Sequence, residues 1–470
     1  MRIASNIIET IKAKADIVEV IGEYVHLTKK GQNFIGLCPF HNDSTPSLTV
    51  SSAKGIYKCF ACDASGDVIK FLQEYLNISF VEAVKMLAKK YGVEIPEDSY
   101  SSIGDEDQRK RESMFIINDY ASKYYAENLF ADTDEARKAL YYATNRWPQD
   151  FIRTFGIGYA SNSWDSFSLW ANGKGLDKDL MLELGLVKEK STNDDVYDTF
   201  RGRIMIPIRD KQHRIIAFTA RLLPDILAHD PNAPKYINSS TSLIYDKGNS
   251  LFGIDVAWNV ASKAGVMNLV EGAPDVMRLQ VIGASNTVAP LGSSWTEAQL
   301  SMLKRITDRL NIIPDSDIPK EGEHFGVGFT SAMRTGKLAL SLGFIVTIQE
   351  IPIGDWKNDP DSYLVSKDKL DELTRQDFVM WYASKVINLN GENIPQQAKA
   401  IHEVAELVKT IPDKVLQESY TDKLINVYGH ENMWKREIMG VQSIPAPVAS
   451  PAISDEEYAG LFKGTEIKVG

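Results

Sequence analysis

A chain of 470 residues, 44% hydrophobic and 24% charged with a formal net charge of -11, has enough apolar material for two or three domains with buried cores and is not a disordered polyelectrolyte. No apolar run approaches the length needed to cross a bilayer, and the start MRIASNIIETIKAK has neither the apolar core nor the cleavage site of a signal peptide, so a cytoplasmic protein without membrane contact is expected. Three cysteines cannot build a disulfide framework.

Those three cysteines and one of the seven histidines fall in a single stretch, LCPFHNDSTPSLTVSSAKGIYKCFAC, from Leu37 to Cys62. Cys38 and His41 are separated by two residues, seventeen more follow, and Cys59 and Cys62 are again separated by two. Three thiolates and one imidazole at that spacing make a closed tetrahedral zinc site, structural because no coordination position stays open. SLTV and IYKC, with SSAKG between them, read as the hairpin that joins the two knuckles. Lys30, Lys54 and Lys58 lie around this ribbon.

Beyond it, Gly66 and Asp67 open an amphipathic helix, DVIKFLQEYL. Ser79 with Glu82 forms a capping box for a second, FVEAVKMLAKKYG, which Gly92 ends. A first domain over residues 1–95 is expected, then a flexible tether over 96–113, where PEDSYSSIGDEDQRKRES is almost without large apolar residues.

Residues 114–260 are expected to form a basic subdomain. In RGRIMIPIRDKQHRIIAFTARLL, the apolar runs RIMIPI and IIAFTA flank the turn DKQHR as a hairpin does. Arg201, Arg203, Arg221, Lys235 and Lys247 gather here within an otherwise acidic chain, as a local phosphate-binding surface requires.

From 261 to 366 strand and helix alternate. VMNLV, NTVAP, LNII and FIVTIQEI read as strands; a helix that Pro274 enters follows the first, one from Ser294 or Thr296 the second, and one near FTSAMRTGKLALSLG the third. This pattern predicts a doubly wound parallel sheet, with functional groups outside the carboxyl ends of its strands. Glu271, Asp315, Asp317, Asp359 and Asp361 would converge there. Crowded carboxylates repel unless hard cations lie between them, so magnesium or manganese is expected. Residues 367–440 read as helical, and 441–470, beginning at QSIPAPVASPAIS, as a tail.

EGAPDV followed by DSD and NDPD resembles the Toprim pattern. With a zinc ribbon upstream and RGRIMIP, TARLL and PKYINSS between, residues 1–365 resemble the DnaG-type primases of bacteria and phages. The resemblance implies a multidomain α/β enzyme: an N-terminal zinc ribbon, an α+β basic subdomain, a Toprim sheet and C-terminal helices. It implies synthesis of short RNA primers on single-stranded DNA from ribonucleoside triphosphates by metal-dependent nucleotidyl transfer. Cys38, His41, Cys59 and Cys62 match the zinc ligands; Glu271, Asp315 and Asp317 match the Toprim acids, and Asp359 and Asp361 the further acidic pair. Glu271, Asp315, Asp317 and Asp359 are the implied ligands of Mg2+ or Mn2+, with Glu271 either ligand or general base. Arg146 in TNRWPQDFI matches an arginine on the template path, while Arg201, Arg203, Arg221, Lys235 and Lys247 match basic residues that contact template and nucleotide phosphates.

Some positions depart from the family pattern. Ala273 and Pro274 stand where an aromatic residue is common after the glutamate, Pro314 precedes the DxD, and IPKEGEHFGVGF lengthens the loop after it. The short C-terminal region is expected to lack a full helicase-docking domain and points to a phage or mobile element. TGKLAL does not complete a Walker A motif, so any replicative helicase is a separate partner. A Toprim nuclease and an inactive DNA-binding regulator on the same scaffold are the competing readings.

Overall fold

The computed structural model describes residues 5–440, apart from 42, 44, 63, 77, 79, 94–101, 191–194, 355–357 and 390–392. The expected cap Ser79, residues 96–101 of the expected tether and the tail 441–470 lie outside the described residues. The chain divides into two units, Met1–Trp381 and Tyr382–Gly470.

In the first unit, α1 (Ser5–Lys14) and α2 (Ile17–Gly22) precede five strands: β1 (Thr28–Lys30), β2 (Asn33–Gly36), β3 (Leu48–Ser51), β4 (Ile56–Cys59) and β5 (Ser65–Gly66). They pair in chain order as an antiparallel sheet, with the expected hairpin between β3 and β4. Strand alternation turns Leu48, Val50, Tyr57 and Cys59 inward while Ile56 and Lys58 stay exposed. The inward face packs with Phe71 and Leu72 of α3 (Val68–Leu76) and Val84 and Leu87 of α4 (Phe80–Lys90) in one apolar cluster.

Residues 102–113, expected within a flexible tether, are instead the first turns of α5 (Ser102–Leu129). Met114, Ile117, Ala121, Tyr124 and Tyr125 follow at helical spacing and are all buried. Packing of those later turns supplies the costly helix nucleus, and the polar residues before them extend it. Two more helices, α6 (Asp134–Thr144) and α7 (Gln149–Phe155), lead to β6 (Gly158–Ala160); α8 (Ser166–Gly173) and α9 (Lys178–Glu183) lead to the hairpin of β7 (Val187–Glu189) and β8 (Val196–Asp198). The expected basic hairpin is β9 (Arg203–Arg209) and β10 (Ile215–Leu222); α10 (Pro224–His229) and β11 (Tyr236–Asn238) complete an antiparallel sheet of order β11-β10-β9-β6. The tight turn is held by Asp210, whose Oδ1 accepts from the amides of Gln212 and Arg214 at 2.9 and 3.0 Å.

The third sheet begins with β12 (Leu251–Phe252) and α11 (Ile254–Ala264). It continues with β13 (Met267–Leu269), α12 (Ala273–Val281), β14 (Thr287–Pro290), α13 (Glu297–Lys304), β15 (Arg309–Ile312), α14 (Val327–Ser341), β16 (Ile345–Gln349), α15 (Pro360–Tyr363), α16 (Lys367–Asp371) and β17 (Arg375–Asp377). Its order is β12-β14-β13-β15-β16-β17; the four central strands are parallel, as expected, and both edge strands are antiparallel. The two-residue β12 and three-residue β17 are too short to show a strand period in sequence. Thr296 caps α13, whereas Pro274 takes the second position of α12, after Ala273.

A ladder of buried polar side chains crosses this sheet. Asn311 is fully buried; its Nδ2 donates to Asn268 Oδ1 at 3.0 Å and Gln349 Oε1 at 2.8 Å, and its Oδ1 accepts from Thr347 Oγ1 at 3.0 Å. Asn268 in turn donates to Thr287 Oγ1 at 3.3 Å. Asn268 is paired with both Thr287 and Asn311, and Asn311 with Thr347, in the strand register. A slip of one residue would turn every one of these groups to the opposite face and leave it unsatisfied.

Helix α17 (Phe378–Leu389) begins in the first unit and ends in the second, where α18 (Ile394–Lys409), α19 (Lys414–Tyr428), α20 (Glu431–Trp434) and a π-helical turn (Lys435–Met439) follow. Asn393 and Asp413 cap α18 and α19, and Trp434 and Leu424 are fully buried. Among the described residues no helix is long and apolar enough to cross a membrane.

Replacement of Asn311 by Leu should lower stability by about 1–3 kcal/mol, because it strands the partner groups of Asn268, Thr347 and Gln349. Urea unfolding of the full chain checks this, and a neutral result would show that the ladder does not hold the register.

Candidate functional site

The two knuckles meet as their spacing predicts. The ligand atoms of Cys38, His41, Cys59 and Cys62 all lie within 4.8 Å of one another. Cys38 Sγ is 3.8 Å from Cys62 Sγ, and Cys59 Sγ is 3.9 Å from His41 Nδ1. A tetrahedron with metal–sulfur bonds of about 2.3 Å has edges of about 3.8 Å, so the donor set fits zinc in size as well as in chemistry.

Asp43, absent from the sequence-based site, organises the first knuckle. Its Oδ2 accepts from the Cys38 amide at 2.7 Å and the Ser47 hydroxyl at 2.5 Å, while Oδ1 accepts from the Thr45 amide at 3.2 Å and lies 3.7 Å from His41 Nε2. Burial alone would raise its pKa; the Cys38 amide and the Ser47 hydroxyl overcome that and hold the carboxylate below its usual range. The Ser47 hydroxyl is also 3.2 Å from Cys59 Sγ, so one small network touches both knuckles.

The acidic residues stand at the carboxyl edge of the third sheet. Glu271 follows β13, and its Oε1 accepts from the Asp315 amide at 3.3 Å, just beyond β15. Ser316 and Asn358 form a two-way backbone bridge, with N–O distances of 2.8 and 3.1 Å, that brings the segment of Asp359 beside the DxD. Asp359 caps α15 by accepting from the Ser362 amide at 2.8 Å. Asp317 Oδ2 accepts from the Gly328 amide at 2.9 Å, which ties the DxD to the start of α14.

That last contact explains two glycines in the lengthened loop. A Cβ on Gly326 would lie 2.4 Å from the Asp317 carbonyl oxygen, and one on Gly328 2.1 Å from that of Asp315. Helix and loop approach so closely that no other residue fits without movement of the DxD.

Asp361 differs from its acidic neighbours. Its side chain is 7% exposed and forms ion pairs with Arg146, through Nη2, and with Arg278, at Nε–Oδ1 3.5 Å. Arg146, expected on the template path, is therefore engaged inside the molecule; its Nη1 also donates to Tyr142 OH at 2.6 Å. Arg203, expected at the phosphate surface, is buried as well. It reaches the carbonyls of Pro234, Ala220 and Lys235 at 3.0, 3.4 and 3.5 Å, and desolvation lowers its pKa to about 10.

The remaining basic residues keep solvent contact. Lys235 and Lys247 are exposed. Arg221 donates to Tyr236 OH at 2.7 Å and lies over the Tyr142 ring at 5.3 Å. Arg201 donates to the Asp198 carbonyl and stacks 4.0 Å from the ring of Trp164, which is 62% exposed.

Sequence reasoning missed Asp275 in EGAPDV. It is 6% exposed and accepts from the Gly272 amide at 3.0 Å and the Asp361 amide at 3.1 Å. Burial, then the charges of Asp315, Asp359 and Asp361, push its pKa well above the usual carboxylate range. An aspartate three residues into a helix whose first position follows a glycine is a capping signal, and it was legible in principle.

A zinc ribbon, a basic antiparallel sheet and a parallel sheet edged with carboxylates follow one another in the chain, and comparison with known proteins finds this order in one class, the bacterial primases. Residues 3–102 match the CHC2 zinc finger family, 124–258 the N-terminal domain of the DNA primase catalytic core, and 377–429 the DnaB-helicase binding domain of primase. The DNA primase of Halalkalibacterium halodurans is 35% identical over 421 residues, covering 87% of this chain and 67% of that protein; the DNA primase of Clostridium acetobutylicum is 34% identical over 432 residues, covering 90% and 68%. Among solved structures, the zinc-binding and RNA polymerase domains of the Aquifex aeolicus primase match with a TM-score of 0.57 at 29% identity, covering 93% of this chain and 99% of that one. A DNA primase domain from Pseudomonas aeruginosa matches with a TM-score of 0.59 at 25% identity, over 69% of this chain and 99% of that one.

The chain belongs to the DnaG-type DNA primases, enzymes that synthesise RNA primers. The nuclease and inactive-regulator readings find no support in these matches. One expectation is corrected: the C-terminal region was expected to lack a full helicase-docking domain, yet 377–429 matches the DnaB-helicase binding domain family. Its helices α18 and α19 carry no residue signature beyond amphipathic spacing, so the sequence implied a separate helicase partner but did not mark where it docks.

Replacement of Asp43 by Ala should weaken zinc binding about 10–100-fold while all four ligands remain. Competition with a chromogenic chelator measures this, and unchanged affinity would show that the carboxylate does not support the site.

Proposed function

We propose that the carboxyl edge of the third sheet is the centre at which ribonucleoside triphosphates are joined on a single-stranded DNA template. The observation that carries the reading is the convergence of Glu271, Asp315, Asp317 and Asp359, drawn from three separate segments by the Glu271–Asp315 hydrogen bond and the Ser316–Asn358 bridge. Like charges so gathered are stable when a divalent cation lies among them, and oxygen donors of this kind suit magnesium or manganese. Held by these four residues, the ions would activate the attacking 3′ hydroxyl and neutralise the leaving pyrophosphate. The protein's own part is placement: the cap at Asp359, the Gly328 amide on Asp317 and the Asp315 amide on Glu271 fix the carboxylates before substrate arrives. Glu271 serves either as a further ligand or as the base for the hydroxyl proton.

Template binding falls to the basic subdomain. Exposed Lys235 and Lys247 supply phosphate charge, and Trp164 with Arg201 on its face offers the combination of aromatic ring and guanidinium on which single-stranded bases stack. The zinc ribbon reads the template, and the helical unit matching the helicase-binding family docks a separate replicative helicase.

Incubated with single-stranded DNA, ribonucleotides and magnesium or manganese, the protein should make short RNA oligomers, and Asp315→Ala should abolish them while the chain stays folded. Synthesis retained by the variant would remove this site from the reaction. Trp164→Ala should weaken single-strand binding by about 1–3 kcal/mol, the worth of one stacked base. Fluorescence anisotropy at fixed salt reads the difference, and an unchanged Kd would place the template elsewhere.

A further inference from the structure

We infer that Asp361 is a positioning residue: its carboxylate holds the Arg146 and Arg278 guanidinium groups, and so fixes the loop that carries Asp359, without itself binding a metal ion. The inference deepens the proposed function and rests on that reading for the role of Asp359.

The geometry points one way. Both oxygens of Asp361 face cations: Arg146 Nη2 pairs with Oδ2, and Arg278 Nε stands 3.5 Å from Oδ1. The three side chains are only 7%, 17% and 15% exposed, so little water screens them. A carboxylate between two half-buried guanidinium groups is already neutralised, and a divalent cation placed there would meet their repulsion.

Asp359 and Asp361 also do different work within α15. Asp359 is the N-cap and Asp361 the second helical residue. Helical residues two apart project about 200° from each other, so the pair does not present both carboxylates to one side. The DPD sequence looks like a bidentate metal motif, but the turn divides it into one outward and one inward group.

The inward group ties three segments together. Besides its pairing with the carboxylate, Arg278 on α12 donates to the Asp361 carbonyl at 2.9 Å and to the Arg146 carbonyl, between α6 and α7, at 2.7 Å. The Asp361 amide donates to Asp275, which also accepts from Gly272, the neighbour of Glu271. The loop bearing Asp359 is thereby braced against the glutamate turn and against the basic subdomain at Arg146. Loss of the Asp361 carboxylate would remove its hold on the two guanidinium groups and loosen that brace, while the main-chain bonds of residue 361 and every proposed metal ligand remain.

The test is made on the full chain with Asp361→Asn and Asp315→Asn, reading Mn2+ binding by electron paramagnetic resonance and primer synthesis as kcat. Asp361→Asn should weaken Mn2+ binding far less than Asp315→Asn does and lower kcat about 10–100-fold, the range expected for a small misplacement of catalytic groups. Arg146→Gln combined with Asp361→Asn should lose no more activity than the worse single variant, since the two remove one interaction. If Asp361→Asn does not fold, Arg146→Lys, which keeps the charge and loses the planar fork, should show the same split between kcat and Mn2+ affinity. Weakened Mn2+ binding in Asp361→Asn to the degree seen in Asp315→Asn would make Asp361 a ligand, and multiplicative losses in the double variant would break the proposed link; either overturns the inference. Unaltered Mn2+ binding in Asp315→Asn would instead defeat the metal-centre reading, and the double variant would still judge the Arg146–Asp361 coupling by itself.

Discussion

The register of the central parallel strands is the constraint on which the site depends. Glu271 and the DxD follow different strands, three and four residues beyond the paired residues Asn268 and Asn311. Those two side chains are hydrogen-bonded to each other, and through them to Thr287, Thr347 and Gln349. Apolar contacts tolerate a shift of register far better than buried amides do, because an unsatisfied buried amide costs about 1–3 kcal/mol and an apolar side chain finds another neighbour. The ladder places the ends of β13 and β15 level, and only then does the Asp315 amide reach Glu271.

Above that level edge, the structure manages charge by sorting it. Of the proposed metal-binding carboxylates, Glu271, Asp317 and Asp359 each accept from one backbone amide. Asp361 is turned inward against two guanidinium groups, and Asp275 is buried with two amides pointing at it. Repulsion among unscreened carboxylates in a low-dielectric setting reaches several kcal/mol per close pair at an effective dielectric of about 20. Pairing or burying two of the acids reduces the charge that substrate and cations must offset. An enzyme with a net charge of -11 can still bind a polyanion, because net charge does not forbid a local cationic surface such as that of the exposed Lys235 and Lys247.

The zinc ribbon is organised by the same economy on a smaller scale. Four ligands define the metal site, but it is Asp43 that orders the chain between Cys38 and Ser47, and Ser47 that carries this order to Cys59. The ribbon sheet contributes one buried face to the packing of α3 and α4 and leaves Lys58 and Phe60 on the other side, the lysine 5.6 Å from the ring. In the proposed template-reading role, a module rigid within itself keeps a few exposed groups in a fixed arrangement.

Much of this was legible in the residues alone. The CxxH and CxxC knuckles, the β9–β10 hairpin, the alternation of strand and helix and the place of Glu271 and the DxD just beyond two strands all follow from local spacing, because periodicity and turn chemistry act over a few neighbours, whereas Asp359 and Asp361 belong to a short helix. Tertiary structure decided the rest. That residues 102–113 are helical depends on packing of the turns that follow; that Arg146 and Arg203 face inward depends on a carboxylate 215 residues away and on the carbonyls of β10 and the Pro234 loop. A basic or acidic residue looks the same in sequence whether it meets solvent, substrate or a buried counter-charge. Which of these it meets is set by the chain that folds against it, and no local pattern records that.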